Sequence, residues 1–128
     1  METPLGEQFA RAVAEKDFAK ADSFLHAAVD FRAMTPGKFW EAADPDTIGR
    51  EILPRWYEAH DQIEGVVALE NSSVGDRRRV GYRYAGRNGD GHFLVEQQAY
   101  YEVHDGAITW MRVLCSGWRP RDAAPEDA

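Results

Sequence analysis

The chain has 128 residues, 44% of them hydrophobic, and a formal net charge of -7. That length suits one domain around one core. The negative charge disfavours nucleic acid and anionic membranes as partners, and no apolar run reaches the roughly 18 residues that a membrane span needs.

A single cysteine, Cys115, makes no internal disulfide, and the first residues lack a basic stretch followed by an apolar one. Both observations lead us to expect a cytoplasmic protein. Arg77-Arg78-Arg79 is the one basic run and lies beside a turn, as a solvated stretch would. Leu5, Phe9 and Val13 recur at helical spacing and predict a helix over 5–16. Asp17 suits the N-cap of a short second helix with Phe18, Ala21 and Leu25 on its apolar face. A first strand is expected over 27–35, closed by the Thr35-Pro36-Gly37 turn. Asp44-Pro45-Asp46 starts a third helix: an Asp cap, Pro at the first helical position, and an acid at the positive end of the dipole. Ile48, Ile52 and Trp56 form its buried stripe, and Pro54 predicts a kink or break.

From residue 62 the apolar period changes to two. Strands are expected over 63–73, 78–85, from Gly91 onward, and after Asp105-Gly106, with Gly75-Asp76 and Asn88-Gly89 at the other turns. Residues 1–118 read as one domain, and 119–128 as a disordered tail. Helix, helix, strand, helix, then four strands in meander order is an α+β pattern.

Two stretches carry a likeness. Phe9…Asp17-Phe18…Phe24-Leu25…Ala28-Val29-Asp30-Phe31 and Val103-His104-Asp105-Gly106-Ala107-Ile108…Met111-Arg112-Val113 resemble the nuclear transport factor 2-like superfamily. That fold is shared by ketosteroid isomerases, SnoaL-like polyketide cyclases and limonene epoxide hydrolases. The resemblance implies a cystatin-like α+β barrel: a cone-shaped, strongly curved, mainly antiparallel sheet with three N-terminal helices over its concave face. It also implies a homodimer and a small-molecule cavity. The positions matching the isomerase's oxyanion tyrosine, general-base aspartate and second aspartate fall on Phe9, Phe31 and Ala99. None carries the needed group, which argues against ketosteroid isomerase activity. A register slip of one would bring in Asp30 or Gln98, at the cost of turning Val29 and Phe31 away from the helices.

With the strand phase set by this likeness, the inward set is Val29, Phe31 and Ala33; Val80, Tyr82 and Tyr84; Val95, Gln97, Ala99 and Tyr101; and Met111, Val113 and Cys115. The third helix adds Trp56 or Tyr57, and the loop before it Trp40. The expected pocket is therefore Phe31, Trp40, Trp56, Tyr57, Tyr82, Gln97, Tyr101, Met111 and Cys115, aromatic with few polar tips. It suits a small apolar or aromatic ligand. Much of this set serves equally as core packing. Gln97 must be paired, either with a ligand or with a tyrosine. His60, expected at the end of the third helix, is a candidate base or simply a histidine suited to a helix C-terminus. Gln97 and His60 are the candidate catalytic residues. The histidines lack metal-ligand spacing, so neither a metal nor a cofactor is expected. The opposite sheet face, with Tyr100, Trp110, Arg112 and Leu114, is the expected dimer surface. Three functions remain open: a SnoaL-like enzyme of proton transfer, isomerisation or cyclisation; a non-catalytic ligand binder; or a dimeric interaction module with a filled core.

Overall fold

The structure, a computed structural model, describes residues 3–121. Helix α1 (Leu5–Ala14) buries Phe9 and Val13 with Gly6, Ala10 and Ala12 beside them, and turns Glu7 and Arg11 outward as an i,i+4 ion pair of 2.9 Å. Asp17 caps α2 (Phe18–Asp22) by accepting from the Lys20 N–H at 3.1 Å. Asp44 opens α3 as its sequence requires, accepting from the Thr47 N–H at 2.8 Å with Pro45 in the first turn. Helix α3 then runs in three pieces: α-helical Pro45–Thr47, a π turn Ile48–Ile52, and α-helical Leu53–Trp56. Pro54 is the cause. It has no N–H to donate and its ring crowds the carbonyl four residues back, so the helix widens by a turn just ahead of it.

The strands are β1 (Leu25–Thr35), β2 (Lys38–Ala42), β3 (Gln62–Val74), β4 (Arg77–Asn88), β5 (Gly91–His104), β6 (Ala107–Cys115) and β7 (Arg119–Arg121). They form one curved, unclosed sheet in the order β2-β1-β6-β5-β4-β3, with β7 on β5. Only the β1–β6 pairing is parallel. This is the expected α+β cone, mainly antiparallel. Register shifts between Leu25 and Asp30, along β3, and between Glu102 and Val103 supply the curvature. Asp105 and Gly106 both have positive φ (54° and 76°), the signature of a two-residue hairpin turn.

Two short strands differ from the expectation. Lys38–Ala42, read as loop, is an edge strand hairpinned to β1 through Pro36-Gly37, so Trp40 sits on a strand opposite Ala33. Arg119–Arg121, read as the start of a tail, pairs with His92–Leu94 in the place that β6 leaves vacant. Residues 122–128 of the expected tail lie outside the described residues. No helix among the described residues is long and apolar enough to cross a membrane.

Helix α1 is fastened to the concave face by a buried bond from the Tyr84 hydroxyl to the Ala10 carbonyl, 2.6 Å. Gly6 lets it approach closely, because a Cβ there would collide with the Tyr101 ring. Lys16, at φ 58°, leaves the end of α1 and donates to the carbonyls of Glu58 and Asp61, tying α1 to the segment after α3.

Helix α2 meets the π turn through Asp22, whose carboxyl occupies the space that a Cβ on Gly49 would need. Burial raises the Asp22 carboxyl to about 6, Asp46 and Asp44 push the same way, and Arg50 opposes them. The folded chain therefore holds this proton more tightly than the unfolded chain does. The resulting stability is fully present below the ordinary carboxylate pKa of about 4 and is lost as pH rises through 6. Asp22→Asn is expected to be more stable than wild type at pH 7 and to lose that advantage by about pH 4. Urea denaturation at the two pH values checks it; an unchanged difference would rule out Asp22 as the titrating group.

Candidate functional site

The side chains expected to point inward on β1, β4, β5 and β6 are buried. Register places Gln97 between Tyr82 on β4 and Cys115 on β6. The Tyr82 hydroxyl donates to Gln97 Oε1 at 2.6 Å, entirely inside the cone. That bond fixes which way the amide faces: Gln97 Nε2, on a side chain only 1% exposed, has no partner. Tyr57 Oη is in the same condition on a residue 2% exposed. Tyr57 stacks edge-on against Tyr84 at 5.9 Å between ring centroids, and Tyr84 lies 5.2 Å from Tyr82. Burial pushes the Tyr57, Tyr82 and Tyr84 hydroxyls well above the ordinary tyrosine pKa. All three stay neutral O–H donors at any physiological pH.

A cavity of about 180 Å³ opens beside this cluster. Its walls are Trp40, Trp56, Tyr57, Val95, Cys115 and Trp118, with Thr35 and Arg55 also lining it. Trp118 donates from Nε1 to the Trp56 carbonyl at 3.1 Å and packs edge-on against Tyr57 and Phe93 at 6.2 and 5.6 Å. Gly117, at φ 77°, aims it there; a Cβ at 117 would lie 2.8 Å from Pro36 Cγ. Trp118 and Arg55 were absent from the sequence-based pocket. The available signal was Gly117-Trp118 directly after a strand, which otherwise reads as the domain's last anchor before a tail.

Trp40, Trp56, Tyr57 and Cys115 line the cavity, and Tyr82 and Gln97 lie behind it. Phe31, Tyr101 and Met111 pack in the core instead: Phe31 against Trp56 at 6.3 Å, Tyr101 against α1 at Gly6, and Met111 fully buried. His60 is elsewhere. Helix α3 stops at Trp56, and His60 stands 66% exposed on the following turn, away from the cavity walls.

There His60 Nε2 lies 3.6 Å from Glu58 and 3.5 Å from Asp61, so three metal-capable side chains converge that histidine spacing alone did not reveal. Both Asp61 carboxylate oxygens are already engaged. Asp61 accepts from the Glu58 N–H at 3.0 Å and from Asn88 at 2.9 Å, and the Lys16 ammonium occupies the adjacent carbonyls. The arrangement is a knot that closes the turn. A broader groove of about 630 Å³ along α1 is lined by charged side chains including Glu7, Arg11, Glu15 and Lys20, and no buried unpaired donor faces it.

The hydroxyls of Tyr82 and Tyr57 differ in what they hold. Tyr82→Phe strands Gln97 Oε1 and is expected to cost about 1–3 kcal/mol. Tyr57→Phe removes a hydroxyl with no partner and is expected to be neutral or stabilising by up to about 1 kcal/mol without ligand. Urea unfolding of both variants in ligand-free buffer decides it. Equal losses would mean that Tyr57 Oη is satisfied after all.

No protein-family model and no curated protein matches the chain. Solved structures do. An LEH-like epoxide hydrolase from M. tuberculosis aligns over 88% of this chain and 80% of its own, with 18% identity and a TM-score of 0.61. A nuclear transport factor 2-like protein from Burkholderia thailandensis aligns over 91% and 92%, with 20% identity and a TM-score of 0.63. A hypothetical protein from Catenulispora acidiphila with a ketosteroid isomerase-like fold, in complex with trimethylamine, aligns over 91% and 88%, with 14% identity and a TM-score of 0.66. At these identities the likeness speaks for the architecture, and the architecture is the nuclear transport factor 2-like fold.

Proposed function

We propose that the cone is a small-molecule site that holds an apolar or aromatic ligand by one neutral acceptor oxygen, a carbonyl above all. One observation carries this reading: Tyr57 Oη and Trp56 Nε1 in the wall of an aromatic cavity, and Gln97 Nε2 behind it, are buried donors without a partner. A buried donor left unpaired is costly, and a bound acceptor removes that cost. The volume of about 180 Å³ suits a ligand about the size of one ring. Acetophenone and ethylbenzene test the idea, since they differ by the carbonyl alone. Wild type is expected to bind the ketone about 5–10-fold more tightly, and Tyr57→Phe to erase most of the difference. Equal affinities in wild type would exclude the donor pair as the recognition element.

The same donors would stabilise the oxygen of an enolate, which supports a second reading: a SnoaL-like enzyme of proton transfer, isomerisation or cyclisation. Among the described residues no carboxylate or imidazole lines the cavity, so the proton acceptor would be water or a basic group of the substrate. Exchange of the acetophenone methyl hydrogens in D₂O, followed by NMR, separates the two. Acceleration by wild type and not by Tyr57→Phe favours catalysis; no acceleration leaves binding as the function.

We further propose that the convex sheet face makes a homodimer. Met34, Phe39 and Leu114 are 48%, 69% and 57% exposed and adjoin one another in register across β2, β1 and β6. Trp110, one of the residues expected on this surface, is already covered by the guanidinium groups of Arg77 and Arg112 at 4.1 and 4.4 Å. The apolar centre therefore shifts toward Phe39 and Leu114. Sedimentation at high micromolar concentration should give twice the 14.5 kDa chain mass, with Leu114→Asp returning it to one. A wild-type monomer would defeat the proposal.

A further inference from the structure

We propose that Arg55 sets ligand specificity by receiving an anionic group, a carboxylate, at the mouth of the cone. The inference rests on the cone being a small-molecule site. Among the described residues Arg55 is the only charged side chain lining the cavity. It follows Pro54 in the last turn of α3, immediately before Trp56 and Tyr57, so the same turn delivers two walls and a guanidinium. It is exposed and in no ion pair among the described residues, although Glu51 and Glu58 are near it in sequence. By contrast Arg11, Arg32, Arg50, Arg77, Arg79, Arg83, Arg87 and Arg112 each face a carboxylate. Among the described residues Arg78, Arg119 and Arg121 also face no carboxylate, but none of them lines this cavity. A second cation stands nearby: Lys38 Nζ lies 4.7 Å from the centre of the Trp40 ring, itself a cavity wall.

The cavity thus joins a buried side with neutral donors to an exposed side with a cation. On the buried side are Tyr57 Oη and Trp56 Nε1 in the wall and Gln97 Nε2 behind it, with no charged lining residue but Arg55 among the described residues to offset a buried negative charge. Trp40, Trp56, Trp118 and Val95 form the middle. At the outer end is a guanidinium that can take a carboxylate in a bidentate pair while both stay partly hydrated. The ligand class that satisfies all three parts is a flat, ring-sized molecule with a carbonyl at one end and a carboxylate at the other.

Three probes dissect this: 4-acetylbenzoate, 4-acetylbenzamide and 4-ethylbenzoate, titrated by calorimetry into wild type, Arg55→Gln and Arg55→Lys. Wild type is expected to prefer 4-acetylbenzoate over its amide about fivefold at low salt, and less at high salt, as a partly exposed ion pair should. Arg55→Gln should abolish that preference with an unchanged melting temperature, and Arg55→Lys should keep part of it. 4-Ethylbenzoate should bind more weakly throughout yet still respond to Arg55. If acid and amide bind wild type equally, or Arg55→Gln keeps the preference, Arg55 is not the determinant and the reading of the cone stands. If none of the three binds wild type, the reading of the cone fails and the inference fails with it.

Discussion

A hydroxyl sealed inside an aromatic cone is costly without an acceptor, and Tyr57, Tyr82 and Tyr84 are all buried there. Each is resolved differently. Tyr84 gives its proton to a carbonyl of α1 and so fastens the helix layer to the sheet. Tyr82 gives its proton to Gln97 and so fixes the facing of the one buried amide. Tyr57 gives its proton to nothing in the protein. The satisfied pairs hold the cone together. Of the unpaired donors, Tyr57 Oη and Trp56 Nε1 belong to residues of the cavity wall, and Gln97 Nε2 lies behind that wall.

Placing those donors requires irregular backbone at both lips of the cavity. Pro54 cannot continue an α-helical ladder; after the π turn ahead of it α3 ends at Trp56, and Tyr57 leaves the helix at φ -130° and ψ 87°, so that two successive aromatic residues are both buried. At the other lip Gly117 takes a positive φ against Pro36 and turns Trp118 back over Trp56. The chain direction changes, and β7 resumes on β5. Neither lip follows from period or propensity; both follow from a residue that excludes the regular alternative.

That is also why legibility was uneven. The α+β cone, the Asp17 and Asp44 caps, the Asp105-Gly106 turn and the inward phase of β1, β4, β5 and β6 were readable, because each rests on a local pattern repeated over several residues. The phase survived despite the bulges, since the shifts in β1 and β5 fall near strand ends, before Asp30 and after Glu102. Strand β2 was missed because five edge residues that are partly exposed on both faces show no clean alternation. Strand β7 was missed because Arg119-Pro120-Arg121 is polar and contains a proline, which an edge strand tolerates. His60 was misplaced because Pro54 shortens α3, so the turn that carries it begins earlier than the apolar stripe suggests. Gln97 was readable as a buried amide needing a partner. That Oε1 is paired with Tyr82 while Nε2 is left without a partner was not, because it depends on a cross-strand distance.

The identity of that one side chain separates two kinds of cone. A carboxylate at 97 would be desolvated among tyrosines, its pKa would rise toward neutrality, and it would sit as a proton acceptor at the deep end of an aromatic cavity. An amide of nearly the same shape offers donors and an acceptor but titrates at neither. With Gln97 there, and His60 outside on its turn, every polar group at the deep end of the cone is a neutral hydrogen-bonding group. Such a surface can orient an oxygen and lower the energy of charge that develops on it. It cannot by itself accept the proton whose removal creates that charge. A proton transfer in this cone would therefore draw its base from water or from the substrate, and the buried donors would contribute placement.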